Sequence, residues 1–255
     1  MNNAPENDAL PQKLTNDAIL EAVLDIRFEY DSKRVSEVFF GQIALMPEWK
    51  GFTQARSAVA DIPESIRRTQ SDLRYQSAFQ LTGPDGRIAV QVGPQVFVYS
   101  RRGAYPGWDE AFWPELEMAI DHLFNVVPNL SITRLGLRYI NALRSDLHEI
   151  KSVIDLNLGI TVAGEPIENN LNVNYVTRVG SPFETVTRIA SVDRAQGQVP
   201  ENTTVIVDID VYTPSGFETR IADSVKDWVD EAHKKEKESF FSILGKDVTN
   251  RLREI

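Results

Sequence analysis

Six charged residues, Asp25, Arg27, Arg134, Arg138, Asp208 and Asp210, sit at alternating positions in stretches that otherwise read as β-strand. On a strand, alternate side chains share a face, so each stretch turns its charges to one side. Two chemistries fit. Asp208 and Asp210 alternate with Val207, Ile209 and Val211 and, with Asp25, offer the oxygen ligands of a divalent cation, which points to phosphoryl or nucleotidyl transfer on a nucleotide or nucleic acid. The arginines offer the competing reading, cross-strand Asp–Arg pairing, the ordinary unit of sheet stabilisation. Their equal supply favours pairing over metal, and no cofactor is expected.

The second constellation is Arg101-Arg102-Gly103-Ala104-Tyr105-Pro106-Gly107-Trp108, two cations and two large rings in one loop. Guanidinium forks and ring faces hold an anion or a planar ligand such as an acidic peptide, a protein partner or a nucleotide phosphate. The competing expectation is that Tyr105 and Trp108 pack while the arginines stay solvated. Other chemistry has little material. The chain has no cysteine and only His122, His148 and His233, none in an H-E-x-x-H pair. His122 and His233 fall in helical stretches, where packing or capping is the ordinary role. Gly83-Pro84-Asp85-Gly86 and Gly93-Pro94 read as hairpin turns, and Lys234-Lys235-Glu236-Lys237-Glu238 as a solvated helix face.

The elements that must position these groups centre on residues 132–142, a strand with Leu135, Leu137 and Tyr139 on one face and Arg134, Gly136 and Arg138 on the other. Gly136 marks a point where a ligand or a neighbouring backbone can come close. Arg27, Arg138 and Asn141 are expected on the open face. Upstream, residues 21–30 alternate as a strand, residues 33–46 suit a helix capped by Asp31 or Ser32, and 75–81, 87–92 and 95–100 suit a three-strand meander. A helix over about 109–126 follows, starting nearer Trp113 because Pro114 fits only a first turn. Downstream, 171–179, 185–191 and 203–212 read as strands, and 221–244 as a helix stopped by Gly245, with a short tail helix after it. Residues 50–72 carry no assignable element, and 145–168 suit a helix then a loop, or partly strand.

Leu24-Asp25-Ile26-Arg27-Phe28 echoes Leu135-Gly136-Leu137-Arg138-Tyr139, and the same shift carries His122 onto His233. The expected class is therefore α+β: a long antiparallel sheet with helices on one face, built from two pseudo-repeated β-α-β-β-β-α lobes. Residues 1–13 would be a flexible arm, with lobes over 14–130 and 131–255 joined in one compact domain.

Hydrophobic residues at 42% and charged residues at 25% are those of a globular chain, and a formal net charge of −10 repels phosphate backbones and anionic lipid. Nucleic-acid binding is disfavoured. With no signal-like start and no long apolar run, the chain is expected to be cytoplasmic.

Lys13-Leu14-Thr15-Asn16, Glu21-Ala22-Val23-Leu24-Asp25-Ile26-Arg27-Phe28, Val90-Gln91-Val92-Gly93-Pro94, Tyr105-Pro106-Gly107-Trp108 and Arg134-Leu135-Gly136-Leu137-Arg138-Tyr139-Ile140-Asn141, with His233 and Phe240, resemble a sporadically distributed family of uncharacterised bacterial proteins. The resemblance implies a horizontally mobile component of a defence or toxin–antitoxin-like locus, with a protein partner encoded by a neighbouring gene and no catalytic residues to carry over. The expected function is a non-catalytic binding or regulatory module. Arg27, Arg101, Arg102, Tyr105, Trp108, Arg134, Arg138 and Asn141 would engage an anionic group, with the metal-dependent enzyme on Asp25, Asp208 and Asp210 as the alternative.

Overall fold

The computed structural model describes residues 10–30, 36–167, 170–178, 183–192 and 199–253. Strand β1 (Ile19–Tyr30) is followed by α1 (Ser36–Ala44), β2 (Thr53–Arg56), α2 (Glu64–Thr69) and α3 (Ser71–Arg74). The meander β3 (Phe79–Thr82), β4 (Ile88–Val92) and β5 (Val96–Arg102) then leads to α4 (Trp113–Val126). The second half runs β6 (Leu130–Arg144), a small hairpin β7 (Thr161–Val162) and β8 (Glu165–Pro166), the meander β9 (Asn172–Arg178), β10 (Glu184–Ser191) and β11 (Thr203–Tyr212), and α5 (Ala222–Leu252). Nine strands make one antiparallel sheet ordered β2-β3-β4-β5-β1-β6-β11-β10-β9.

Alternation explains the layering. Ala22, Leu24, Ile26 and Phe28 of β1, Leu135, Leu137 and Tyr139 of β6, and Val207, Ile209 and Val211 of β11 are buried on one face. There they meet Leu116, Ala119, Ile120 and Leu123 of α4 and Val225, Val229 and Ala232 of α5 in a single core. Each large apolar side chain so covered contributes roughly 1.5–3 kcal/mol. The fold is α+β, with a long antiparallel sheet as the strand patterns predict.

The centre of the sheet is the β1–β6 pair, with Leu24 opposite Leu137 and Asp25 opposite Gly136. The last strand of each meander closes onto the first strand of its own half, β5 onto β1 and β11 onto β6. The halves differ after that first strand. The helix expected at 145–168 is absent from its described residues, which form a turn, a 3-10 turn at Val153–Asp155 and the β7–β8 hairpin. The chain turns away from helix because Glu149 adopts a φ of 56°, and because Ser152 and Asp155 form a reciprocal capping box at the short turn.

Other boundaries move by a few residues. The strand expected from Tyr75 starts at Phe79, since Tyr75 still closes α3. A π turn at Trp108–Phe112 precedes α4, which begins at Trp113 with Pro114 in its first turn. Gly245, at φ 77° and ψ 164°, breaks α5 where the sequence places a stop. Residues 50–72 hold β2, one short 3-10 turn at Ala58–Asp61, α2 and the start of α3. Asp31, Ser32 and most of the expected arm lie outside the described residues; Leu10 to Lys13 run along a cavity described below. Among the described residues no helix is long and apolar enough to cross a membrane.

Candidate functional site

The charged face of the sheet is a network of ion pairs. Arg134 Nη1 donates to Asp25 Oδ1 at 2.8 Å, and its Nη2 lies 3.6 Å from Asp210 Oδ2. Arg27 Nε donates to the same Asp25 oxygen at 3.2 Å. Asp208 accepts Arg138 Nε and Nη2 at 2.6 and 2.7 Å and Arg188 Nη1 at 3.0 Å. These bonds raise the Arg138 pKa, while burial raises that of Asp210 against the pull of Arg134 and Arg138. The three aspartates are thus engaged by guanidinium groups, and a divalent cation would have to displace those groups to reach them. Among the described residues no group of three His, Asp or Glu side chains is placed to hold a metal ion.

The Arg134 guanidinium lies over Gly136 on its way to Asp25. A Cβ at this position would stand 3.0 Å from Arg134 Nη1 and 3.3 Å from Asp210 Oδ1. Tyrosines cover the ends of the network, with Arg27 4.7 Å from the Tyr75 ring centroid and Arg134 5.0 Å from that of Tyr212.

Of the remaining candidates, Arg101 and Asn141 leave this face, while Arg102 stays at its edge, in register with Glu21. Arg101 points to the helix side, where it pairs with Glu115 of α4, which also accepts the Tyr99 hydroxyl at 2.9 Å. Arg102 pairs with Glu21 at 2.9 Å at the exposed surface. Asn141 shares the parity of Tyr139, not of Arg138. It is buried on the core side, with Nδ2 3.4 Å from the Val207 carbonyl. Its expected place on the open face is corrected by the strand alternation itself.

Asn141, Tyr105 and Trp108 meet instead at a cavity of about 750 Å³. Its walls are Leu10 to Ile19, the loop around Tyr105 to Glu110, the Tyr139–Asn141 end of β6, and α5 from Asp230 to Phe241. Asp17 ties two walls together by accepting the N–H groups of Ile19 and Tyr105 at 3.0 and 3.1 Å. Trp108 stacks on His233, with ring centroids 3.9 Å apart and planes 7° from parallel. The Tyr105 and Tyr139 hydroxyls lie 3.2 Å apart, and Tyr139 Oη lies 3.4 Å from His233 Nδ1.

Burial, helped by Lys237, lowers the His233 pKa to about 4, so its ring is neutral at pH 7 and can accept from Tyr139. The same burial raises both tyrosines, which stay protonated.

The unexpected member is Glu236. It is only 5% exposed, lines the cavity, and has no hydrogen bond or ion pair among the described residues. Burial pushes its pKa up to about 8. Its oxygens are absent from the fully sealed, unsatisfied polar atoms, so the carboxyl remains reachable from the cavity. The charge run 234–238 reads as solvated, yet Glu236 continues the buried stripe Val225, Val229, Ala232 and Phe240. A carboxylate on an apolar stripe at helical spacing is the signal that finds it. The other two histidines are structural. His148 accepts the Arg144 N–H at 2.9 Å and sits 3.3 Å from the Asn16 carbonyl, while His122 meets Glu48 at 3.3 Å.

Comparison with known proteins returns no matching family model and no matching curated protein, so the reading of this site rests on its geometry.

Proposed function

We propose that this chain is a non-catalytic recognition module whose binding site is the cavity between the end of β6, the Tyr105–Glu110 loop and α5. The observation that carries this reading is a buried carboxyl with no hydrogen-bond or ion-pair partner among the described residues, Glu236, opening on a cavity of about 750 Å³. That size is typical of sites for small ligands, and a few polar groups among aromatic walls give orientation and specificity. Both tyrosine hydroxyls, the His233 ring and the Asn141 amide supply those groups. A screen of small metabolites by thermal shift tests the proposal. A compound held at a hundred times its Kd adds about 2.7 kcal/mol, or roughly 5–10 °C for a chain of this size. The shift should vanish in Asn141→Leu; no stabilising compound, or equal shifts in that variant, would sink the reading.

A second reading concerns a protein partner on the charged sheet face, in keeping with the resemblance to mobile bacterial loci. Its support is that Arg138 and Arg188, 38% and 45% exposed at their side chains, both pair with Asp208 and remain within reach of a partner. An acidic side chain of a neighbour-encoded protein would complete the set. Co-purification with that protein, lost on Arg188→Ala and unchanged in Asn141→Leu, supports this surface; retention in Arg188→Ala removes it.

A further inference from the structure

The chemistry around Glu236 narrows what the cavity takes. Lys234 is held by Asp230 at 2.8 Å and Glu231 at 2.7 Å, so it offers Glu236 nothing. On the same helix the facing groups are neutral His233 and Lys237, whose own pKa is lowered by burial. Across the cavity stand protonated Tyr105 and Tyr139. Among the described residues, the other charges of the lining are Asp17, Asp109 and Glu110 against Lys13, Lys237 and Arg253, three of each sign. Without Glu236 the lining is balanced; with Glu236 ionised it carries one negative charge in excess. An anion entering here would meet that carboxylate, whereas a cation would give it the partner the fold does not. Phe240 and Phe241 add ring surface to the lining, and ring faces attract cations.

We infer that the cavity binds a small organic monocation, an ammonium or amidinium compound with an aromatic or apolar body, whose charged head pairs with Glu236 and whose body lies against Trp108 and Phe240. This rests on the cavity being the binding site. Hydrogen bonds to an ionised partner are about twice as strong as neutral ones, so the cation gains most from the deprotonated carboxyl. Cation binding therefore releases the proton that Glu236 holds in the empty cavity, and affinity rises with pH through about 8.

Titration calorimetry on the full chain tests this with four probes of similar size: phenethylamine and benzamidine as cations, 2-phenylethanol as a neutral compound and phenylacetate as an anion. At least one cation should bind, roughly twenty-five-fold more tightly near pH 8.5 than near pH 6.5, and tenfold or more weakly in Glu236→Gln. Binding near pH 7 should release close to one proton in the wild-type chain, read from the heats in two buffers. That measurement holds even where Glu236→Gln does not fold. Preference for 2-phenylethanol or phenylacetate overturns the cation while leaving the cavity as a binding site. Failure of both cations to bind, cation binding unaltered in Glu236→Gln, or binding without proton release also overturns it. Failure of the metabolite screen as well would remove the site reading itself.

Discussion

Glu236 and His233 stand one helical turn apart and are shifted by the same burial in opposite directions, about 8 for the carboxyl and about 4 for the imidazole. For Glu236 the folded value lies above the ordinary 4.5, so its contribution is fully present below about pH 4.5 and lost as pH rises through 8. For His233 the folded value lies below the ordinary 6.5, so stability is complete above about pH 6.5 and lost as pH falls through 4. Between about pH 4.5 and 6.5 the two slopes cancel. Above that only Glu236 acts, and the chain is expected to lose about 2 kcal/mol between about pH 6.5 and 8, roughly 4–8 °C in Tm. Glu236→Gln should flatten that part of the profile; an equal fall in the variant would mean that another group titrates.

Gly136 carries a second residue-scale expectation. A methyl group there presses on the Arg134 guanidinium, so Gly136→Ala should cost about 1–3 kcal/mol in urea unfolding. The cost should shrink by at least about 0.5 kcal/mol when Arg134 is also replaced by alanine. At this scale the sequence discloses residue types and faces, which is why the Asp–Arg pairing is legible from alternation. It does not disclose which strand lies beside β6, and only that neighbour turns Gly136 from a gap into the seat of Arg134.

Elements were legible in proportion to their length. β1, β6, β11 and α5 repeat their apolar period several times and were readable to within a few residues, whereas 50–72 contains pieces of four to six residues, too short for a pattern to display its period. What fixes that segment is a tertiary contact. Arg67 is buried, donates Nε to the Ile62 carbonyl at 2.9 Å and Nη2 to Glu37 at 3.3 Å, and lies 3.7 Å from Glu64. Glu64 in turn accepts the Ser36 N–H at 2.7 Å and Arg68 Nε at 2.9 Å. This links α2 to the start of α1. Removing one member of a buried charged set leaves its partners desolvated and unpaired, so Arg67→Ala should destabilise by about 3–5 kcal/mol. Hydrogen exchange should show the loss first in residues 57–75; exchange there as slow as in the wild type would contradict this linkage.

At the scale of the molecule, the cavity depends on residues far apart in the chain. Leu14 and Arg253 form an isolated antiparallel bridge, and Thr15 N–H donates to the Leu252 carbonyl at 2.9 Å. These contacts hold the wall of Leu10 to Ile19 against the end of α5. Asp17 then passes the constraint to the Tyr105 loop, and that loop places Trp108 on His233. The continuous sheet brings these parts together, because the β1–β6 pairing sets Ile19 beside Asn141. Thr15→Pro removes the donated N–H and the Thr15 hydroxyl, which donates to the Leu252 and Arg253 carbonyls at 3.3 and 3.4 Å, and replaces no residue of the cavity lining. The net value of each such hydrogen bond is about 0.5–1.5 kcal/mol, so global stability should fall by about 1–3 kcal/mol. Ligand affinity should fall as well, by about tenfold, because a wall released from α5 must be ordered again at each binding event. Calorimetry with phenethylamine and urea unfolding on the same variant separate the two effects. Unchanged affinity with lowered stability would show that the wall holds its position through side-chain packing alone.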